Sequence, residues 1–304
     1  MSSGPLYLLD ASIYIFRAYY SLPERWHSPE GYALHAVYGY TSFLLDLFKA
    51  LGEKDSHALA ATFDESLGSC YRNQLYPAYK SSRELPDEGL AYQLKACRKV
   101  TELLGIACFS SSKFEADDYI ASLAAQGRAQ GHSVTVVSRD KDLGQLLIED
   151  TDQLWDFAAG SRMDRHGFVE KFGVWPEQFS DYLGLVGDSI DDIPGVPAVG
   201  AKTGVKLIQQ FGDLETLASR TDQLDGLGIR GAARISKNLQ ENWQLALVSR
   251  QLARLEAGID DVCLPPRYQL RAEALDSLLS YLDAIELRGA LISRTRNLLQ
   301  QLQR

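Results

Sequence analysis

Phe114-Glu115-Ala116-Asp117-Asp118-Tyr119-Ile120 decides how this chain is read. Glu115, Asp117 and Asp118 fall within four residues, at the start of a segment with helical spacing. Acidic residues suit the positive first turn of a helix, and Ser110, Ser111 or Ser112 stands where a cap is expected. Capping alone would explain these acids, but three other stretches ask for more. Asp10 closes the apolar run Leu6-Tyr7-Leu8-Leu9, and Asp64 closes His57-Ala58-Leu59-Ala60-Ala61-Thr62-Phe63. Asp140 and Asp142 follow Val134-Thr135-Val136-Val137-Ser138. Each run reads as a buried strand that stops at a polar residue. Carboxyl ends of parallel strands converge on one edge of a sheet, where ligands bind. Acids from several strands are therefore expected to meet the acidic helix start.

Two like charges about 4 Å apart repel by roughly 4 kcal/mol at an effective dielectric near 20. A fold gathers so many carboxylates when something positive joins them. Hard divalent cations take oxygen ligands of this kind, and phosphoryl chemistry on a pair of Mg2+ ions is the commonest use.

The sequence has 304 residues, 45% of them hydrophobic, with a net charge of −9. That length admits one large or two ordinary domains. Cys70, Cys97, Cys108 and Cys263 form no C-x-x-C pair and read as small buried hydrophobes of a reducing compartment. Asp10 interrupts the only apolar stretch near the N-terminus, and no stretch is long enough to span a bilayer. A cytoplasmic protein without membrane contact is expected. The negative charge does not exclude nucleic acid, because bound cations reverse the sign of a carboxylate cluster locally.

Ala11 to Tyr20 reads as a helix with Arg17 near its middle, and Ala33 to Leu51 as a second, longer one. Between Arg72 and Arg83, the rings of Tyr76 and Tyr79 interleave with Lys80 and the two arginines around Pro77. This pattern fits a solvated connector with snorkelling bases, or a segment that stacks on nucleobases while its cations meet phosphates. Leu90 to Leu104 is a helix ended by Gly105, and Ile106 to Phe109 a short strand.

Pro176 at a first helical position opens a new pattern, and a domain boundary falls near Val174. Asp188 and Asp191, at i and i+3, would share one face of a helical turn. Gly195-Val196-Pro197-Ala198-Val199-Gly200 is a tight turn before a helix with Lys202 and Thr203 in its first turn. Backbone amides at such a start hold phosphate without reading sequence, and the whole is a helix-hairpin-helix signature. Gly226-Leu227-Gly228-Ile229-Arg230-Gly231 fits G-x-G-x-x-G, but no strand precedes it, so it reads as a second helix-connecting turn. Asn242 to Arg304 reads as helices without evident chemistry.

The order of motifs resembles the 5′-nuclease (flap endonuclease) superfamily, above all the 5′→3′ exonuclease domains of bacterial DNA polymerase I and their stand-alone relatives. The resemblance covers roughly residues 5 to 260. It rests on Leu8-Leu9-Asp10 with Arg17-Ala18-Tyr19-Tyr20, Phe63-Asp64, Tyr79-Lys80-Ser81-Ser82-Arg83 and Glu115-Ala116-Asp117-Asp118. It continues through Ser138-Arg139-Asp140-Lys141-Asp142, Gly187-Asp188-Ser189-Ile190-Asp191-Asp192 and the glycine hairpin with Lys202-Thr203. An α/β fold is implied, PIN-like or resolvase-like, with a mostly parallel sheet flanked by helices over 1–174. A helical arch at about 72–92 and a smaller helical helix-hairpin-helix (H3TH) domain over 175–304 complete it.

By the same resemblance, Asp10, Asp64, Glu115, Asp117, Asp118, Asp140, Asp142, Asp188 and Asp191 hold two or more Mg2+ ions, with Mn2+ able to substitute. Lys80 and Arg83 steady the transferring phosphate. Arg17 and Tyr79 contact the strand, while Lys202, Thr203 and Lys206 hold the duplex, with K+ at the Gly195–Gly200 hairpin. The implied activity is hydrolysis of DNA phosphodiester bonds by a structure-specific 5′→3′ exonuclease and flap endonuclease of replication and repair. The implied partner is DNA with a 5′ flap or a 5′ single-stranded end beside a duplex, bound by a monomeric, stand-alone nuclease. Three positions depart from the family pattern: Asp192 where Asn is usual, Ala198 where Gly is usual, and His35 where the residue is small or amidic. An aspartyl-phosphate phosphatase would need a second acid in Asp10-Ala11-Ser12 and is set aside. A DNA-structure binding protein without activity and a ribonuclease of the related α/β group stay open, and the hairpin favours duplex DNA.

Overall fold

A computed structural model describes residues 4–52, 57–65, 69–221, 223–224, 228–229, 231–260 and 262–303. Gly226, Leu227 and Arg230 of the second glycine turn lie outside the described residues. The first half runs β1 (Pro5–Asp10), α1 (Ala11–Ser21), α2 (His35–Leu51), β2 (His57–Thr62), α3 (Tyr71–Leu75), α4 (Glu88–Leu103), β3 (Ala107–Phe109), α5 (Ala116–Ala129), β4 (Ser133–Val137), β5 (Gln153–Asp156), β6 (Ser161–Met163) and α6 (Arg165–Phe172). The second half runs α7 (Phe179–Val186), α8 (Ala201–Phe211), α9 (Leu214–Ser219), α10 (Ala232–Glu241), α11 (Trp243–Ala253), β7 (Arg267–Tyr268), α12 (Ala272–Ala284) and α13 (Ala290–Leu302).

Among the described residues the strands form one sheet in the order β3-β2-β1-β4-β5-β6, with β7 also on β2. Strands β1 to β5 are mutually parallel, and β6 and β7 run antiparallel. Both faces are covered, which is why the central strands are apolar throughout instead of alternating. Leu6, Leu8, Ala58, Ala60, Val134 and Val136 face the side of α5 and the later helices. Leu9, Leu59, Ala61 and Val137 face α1, α2 and α4. Each fully buried Leu contributes roughly 1.5–3 kcal/mol relative to exposure. Among the described residues no helix is long and apolar enough to cross a membrane.

Four expectations need correction. The acidic helix is not capped by Ser110, Ser111 or Ser112. Glu115 is its N-cap, and the Glu115 amide donates to Asp118 Oδ2 at 3.1 Å. Residues 175–304 do not form one helical unit either. β7 pairs with β2 through His57↔Tyr268 and Ala58↔Arg267. Leu275, Leu278, Leu282 and Leu291 then bury α12 and α13 in the core they share with α2 and α4. The apolar faces of those two helices find their partner on the first layer, not among the hairpin helices. The segment after Arg72 is no loosely packed connector, since Arg72 and Tyr79 are buried. Finally, Cys263 is exposed rather than a core residue.

The Asp188–Asp191 stretch is a loop, not a helical turn. Asp188 and Ile193 exchange both backbone hydrogen bonds, at 2.9 and 2.8 Å, after α7 ends at Gly187. Gly187 and Gly195 cross so closely that a Cβ on Gly187 would sit 2.4 Å from the Ile193 carbonyl oxygen. One departure from the family pattern is conformationally apt. Asp192 adopts φ +54°, a left-handed conformation that Asn and Asp tolerate best. Ala198 is the opposite case, at φ +67° and exposed, with a strained Cβ and little packing in return. Ala198→Gly should therefore raise unfolding stability by a few tenths to about 1 kcal/mol, strain relief outweighing the added freedom of the unfolded chain. Urea melts of the two proteins check this, and a lower midpoint for the variant would contradict it.

Candidate active site and metal centre

Because β2 and β4 flank β1 in parallel register, their carboxyl ends lie side by side. Asp10 closes β1 and also opens α1, its Oδ1 accepting from the Ile13 amide at 3.3 Å. Its Oδ2 accepts from the Ser138 hydroxyl, 2.8 Å away at the end of β4. The same hydroxyl accepts from the Asp140 amide at 3.0 Å, and Asp140 Oδ1 accepts from the Asp142 amide at 2.9 Å. Ser12 Oγ takes the Asp64 amide at 2.9 Å. Two serine hydroxyls thus fix where three strand-end acids stand. Sequence reading quoted both serines and gave neither a role at the site.

Electrostatic coupling shows which acids meet. Burial pushes the Asp10 carboxyl up to about 7, with Asp140 and Asp64 adding to the rise against the Ser138 hydrogen bond. Burial also raises Asp117 well above the carboxylate range, helped by Asp140 and Asp10. Asp142 rises to about 7 through burial and Asp140, with Asp191 and Asp188 contributing. Asp10, Asp64, Asp117 and Asp140 therefore form one group, Asp142, Asp188 and Asp191 a second, and Asp140 joins them.

Basic side chains bind the edges of this cluster. Lys80, at φ +51° and donating its backbone N–H to the Asp191 carbonyl, places Nζ 2.6 Å from Glu115 Oε1 and 3.7 Å from Asp191 Oδ2. Arg83 Nη2 lies 2.6 Å from Asp191 Oδ1. Lys141, which sequence reading missed, pairs with Asp188 and stands 3.7 Å from Asp142 Oδ1. Burial works to raise the Glu115 carboxyl, but Lys80 and Arg72 outweigh it and hold it below the usual range.

Two expected roles do not fit the geometry. Asp118 is fully buried, and its oxygens are taken by both Arg72 nitrogens at 2.7 Å and by the Glu115 and Glu256 amides. No acceptor capacity is left for an ion. Tyr79 is buried too, its hydroxyl donating to Glu115 Oε2 at 2.9 Å, so it supports a carboxylate instead of facing a strand. His35 is likewise buried beneath the Tyr19 ring and presents nothing to a substrate.

The remaining predicted contacts lie outside the cluster. Arg17 is exposed on α1, beside a cleft lined by Tyr14, Phe43 and Phe157. Lys202 and Lys206 are exposed and Thr203 half-buried on the first turns of α8, whose N-cap is Gly200. The Asn238 amide side chain donates to the Pro197 carbonyl at 2.8 Å, bracing the hairpin against α10.

The donor set is all oxygen, which suits hard divalent cations. Asp142 Oδ1 is a buried acceptor without a hydrogen-bond partner, 3.7 Å from Lys141 Nζ. Among the described residues no three His, Cys, Asp or Glu side chains share a single ion-sized point. Glu115, Asp191 and Asp188 are paired with Lys80, Arg83 and Lys141. The residues present fit divalent cations by the chemistry of their donors, the carboxylates of Asp10, Asp64, Asp117, Asp140 and Asp142.

The raised acids set a sign for pH. Asp10 and Asp142 bind protons more tightly in the fold than unfolded, so their contribution to stability is full below about pH 4 and lost as pH rises through about 7. Cations compete with those protons. Mg2+ should raise the melting temperature more at about pH 8 than at about pH 5, as scanning calorimetry would show. Equal shifts at both would refute cation binding by these acids.

Residues 5–173 match the 5'-3' exonuclease N-terminal resolvase-like domain, and residues 174–275 the 5'-3' exonuclease C-terminal SAM fold. The 5'-3' exonuclease of Buchnera aphidicola subsp. Acyrthosiphon pisum is 31% identical over 85% of this chain and 89% of its own length. The DNA polymerase I of Rhizobium leguminosarum is 35% identical over 84% of this chain, which spans only 25% of that larger relative. Among solved structures, T5 5'-exonuclease with bound zinc superposes with a TM-score of 0.64 at 19% identity, covering 99% of this chain and 100% of that one. The catalytic core of Rad2 in complex with DNA substrate gives 0.64 at 14% identity, covering 98% and 92%. At such identities these two likenesses concern the fold. On its sequence matches, this chain belongs to the 5'-3' exonuclease family.

Proposed function

We propose that this protein hydrolyses DNA phosphodiester bonds as a structure-specific 5′→3′ exonuclease and flap endonuclease, dependent on Mg2+ or Mn2+. The observation that carries the reading is the convergence of strand-end acids under Lys80 and Arg83. A binding protein would have no use for desolvated carboxylates bordered by two cations. Divalent cations held by Asp10, Asp64, Asp117, Asp140 and Asp142 would supply Lewis-acid neutralisation of the reacting phosphate and activation of water.

The chain's own residues supply the rest. Arg83, with its side chain 37% exposed, meets an incoming phosphate first, while Lys80 at 13% sits deeper, against both acid groups. Together they neutralise charge that develops on the phosphoryl oxygens. Glu115, gripped by Lys80, Tyr79 and Arg72, orients Lys80. Lys202, Lys206 and the N-terminal end of α8 hold duplex phosphates without reading sequence, and Arg17 contacts the strand on the other side. We assign residues up to about 174 to the nuclease layer, about 175–266 to the duplex-binding helices, and the tail to the nuclease layer again. The substrate is DNA with a 5′ flap or single-stranded 5′ end beside a duplex, met by a monomer in the cytoplasm. K+ at the Gly195–Gly200 turn belongs to the same proposal.

A labelled 5′-flap substrate with Mg2+ should yield products with 5′-phosphates, and Asp117→Ala or Asp142→Ala should abolish cutting while leaving DNA binding largely intact. Turnover that persisted in EDTA would sink the reading. Lys80→Ala should lower the single-turnover rate by about 10²-fold. A change confined to KM would make Lys80 a binding residue only.

A further inference from the structure

Arg72 is 1% exposed and cannot reach a substrate, yet every one of its donors is committed. Nε donates to the Leu252 carbonyl at 2.9 Å. Nη1 donates to Glu115 Oε2 at 3.0 Å and to Asp118 Oδ2 at 2.7 Å. Nη2 donates to Asp118 Oδ1 at 2.7 Å and to the Arg254 carbonyl at 2.8 Å. One planar group thus joins three parts of the molecule: α3 below the Lys80 segment, the acidic start of α5, and the end of α11. The last of these also holds the acid-bearing loop, because the Ser249 hydroxyl on α11 accepts from the Gly195 amide at 3.0 Å.

Only arginine meets these demands. Its rigid fork serves two carboxylates and two carbonyls at once, whereas a lysine offers three donors from a single point. The charge itself is needed as well, since Glu115 and Asp118 are both buried and would otherwise be left uncompensated. Asp117 lies on the same first turn as these two acids.

We propose that Arg72 is a positioning residue for phosphodiester hydrolysis. Through Asp118 and Glu115 it fixes Asp117 and Lys80, and through Leu252 and Arg254 it makes that placement depend on the docked helical part of the chain. This rests on the nuclease reading above, and the experiment separates the two.

Three variants are compared well below their melting temperatures: Arg72→Lys, Asp118→Asn, and Leu275→Ala as a destabilised control in the tail. Amide hydrogen exchange is followed without DNA or divalent ions, alongside single-turnover cutting and flap affinity with Mg2+. Arg72→Lys should lose about 10²-fold in rate, as misplacement by about 1 Å can cause, with flap affinity within about threefold. Exchange should quicken together at 71–75, 115–118 and 252–256. Leu275→Ala should show neither effect. A rate loss for Arg72→Lys no greater than that of the control, or faster exchange spread evenly over the chain, overturns the proposal. Should Arg72→Lys fail to fold, Asp118→Asn carries the test, with a rate loss that extra Mg2+ does not recover. Recovery would make Asp118 an ion ligand and overturn the proposal. A wild-type protein that cuts no flap sinks the nuclease reading, while the joint exchange response still reports on the tie.

Discussion

Carboxylates crowded at the ends of β1, β2 and β4 repel one another where little water remains to screen them, and much of the structure answers that repulsion. Burial and mutual repulsion together lift Asp10, Asp117 and Asp142 far above ordinary acids. The fold responds in layers. Hydroxyls of Ser12 and Ser138 pin the strand ends. Lys80, Arg83 and Lys141 border the cluster on its open side. Arg72 balances the buried carboxylates of Glu115 and Asp118. An electrically poised cluster results, whose balance a divalent cation or a phosphate would change strongly.

The sequence exposed much of this arrangement because its signals were local. Apolar runs ending in Asp10, Asp64 and Asp140 announce strands and their edge, and the parallel register then brings the acids together. What stayed hidden depends on distant pairings. Nothing near Asp118 distinguishes it from Asp117, yet one points at Arg72, 46 positions away in the chain, and the other into the cluster. Tyr79 and Arg72 looked like a basic, aromatic surface because interleaved residue types carry no record of burial. The tail was misplaced for a related reason. Amphipathic helices such as α12 and α13 declare that they have an apolar face, not which layer will cover it.

The Lys80 segment and the acid-bearing loop are joined by backbone as well as by charge. The Lys80 amide donates to the Asp191 carbonyl at 3.0 Å, and the Ser82 amide to Asp192 Oδ2 at 2.9 Å. Losing the Lys80 ammonium leaves these bonds in place. The role proposed for the Lys80 ammonium is therefore separable from architecture, whereas at Arg72 the side chain itself makes the ties between elements.

The antiparallel pairing of β7 with β2 has a consequence for how the molecule is made. His57 waits for Tyr268, about 200 residues further along the chain, and α2 waits longer still for the apolar face of α13. On a ribosome synthesising about 5–20 residues per second, one edge of the sheet and one flank of its covering helices stay bare for roughly ten seconds or more. The sheet and its covering helices can collapse during that interval but close only when the last stretch emerges. Nascent chains halted before β7 should therefore be the species that chaperones hold and proteases clear.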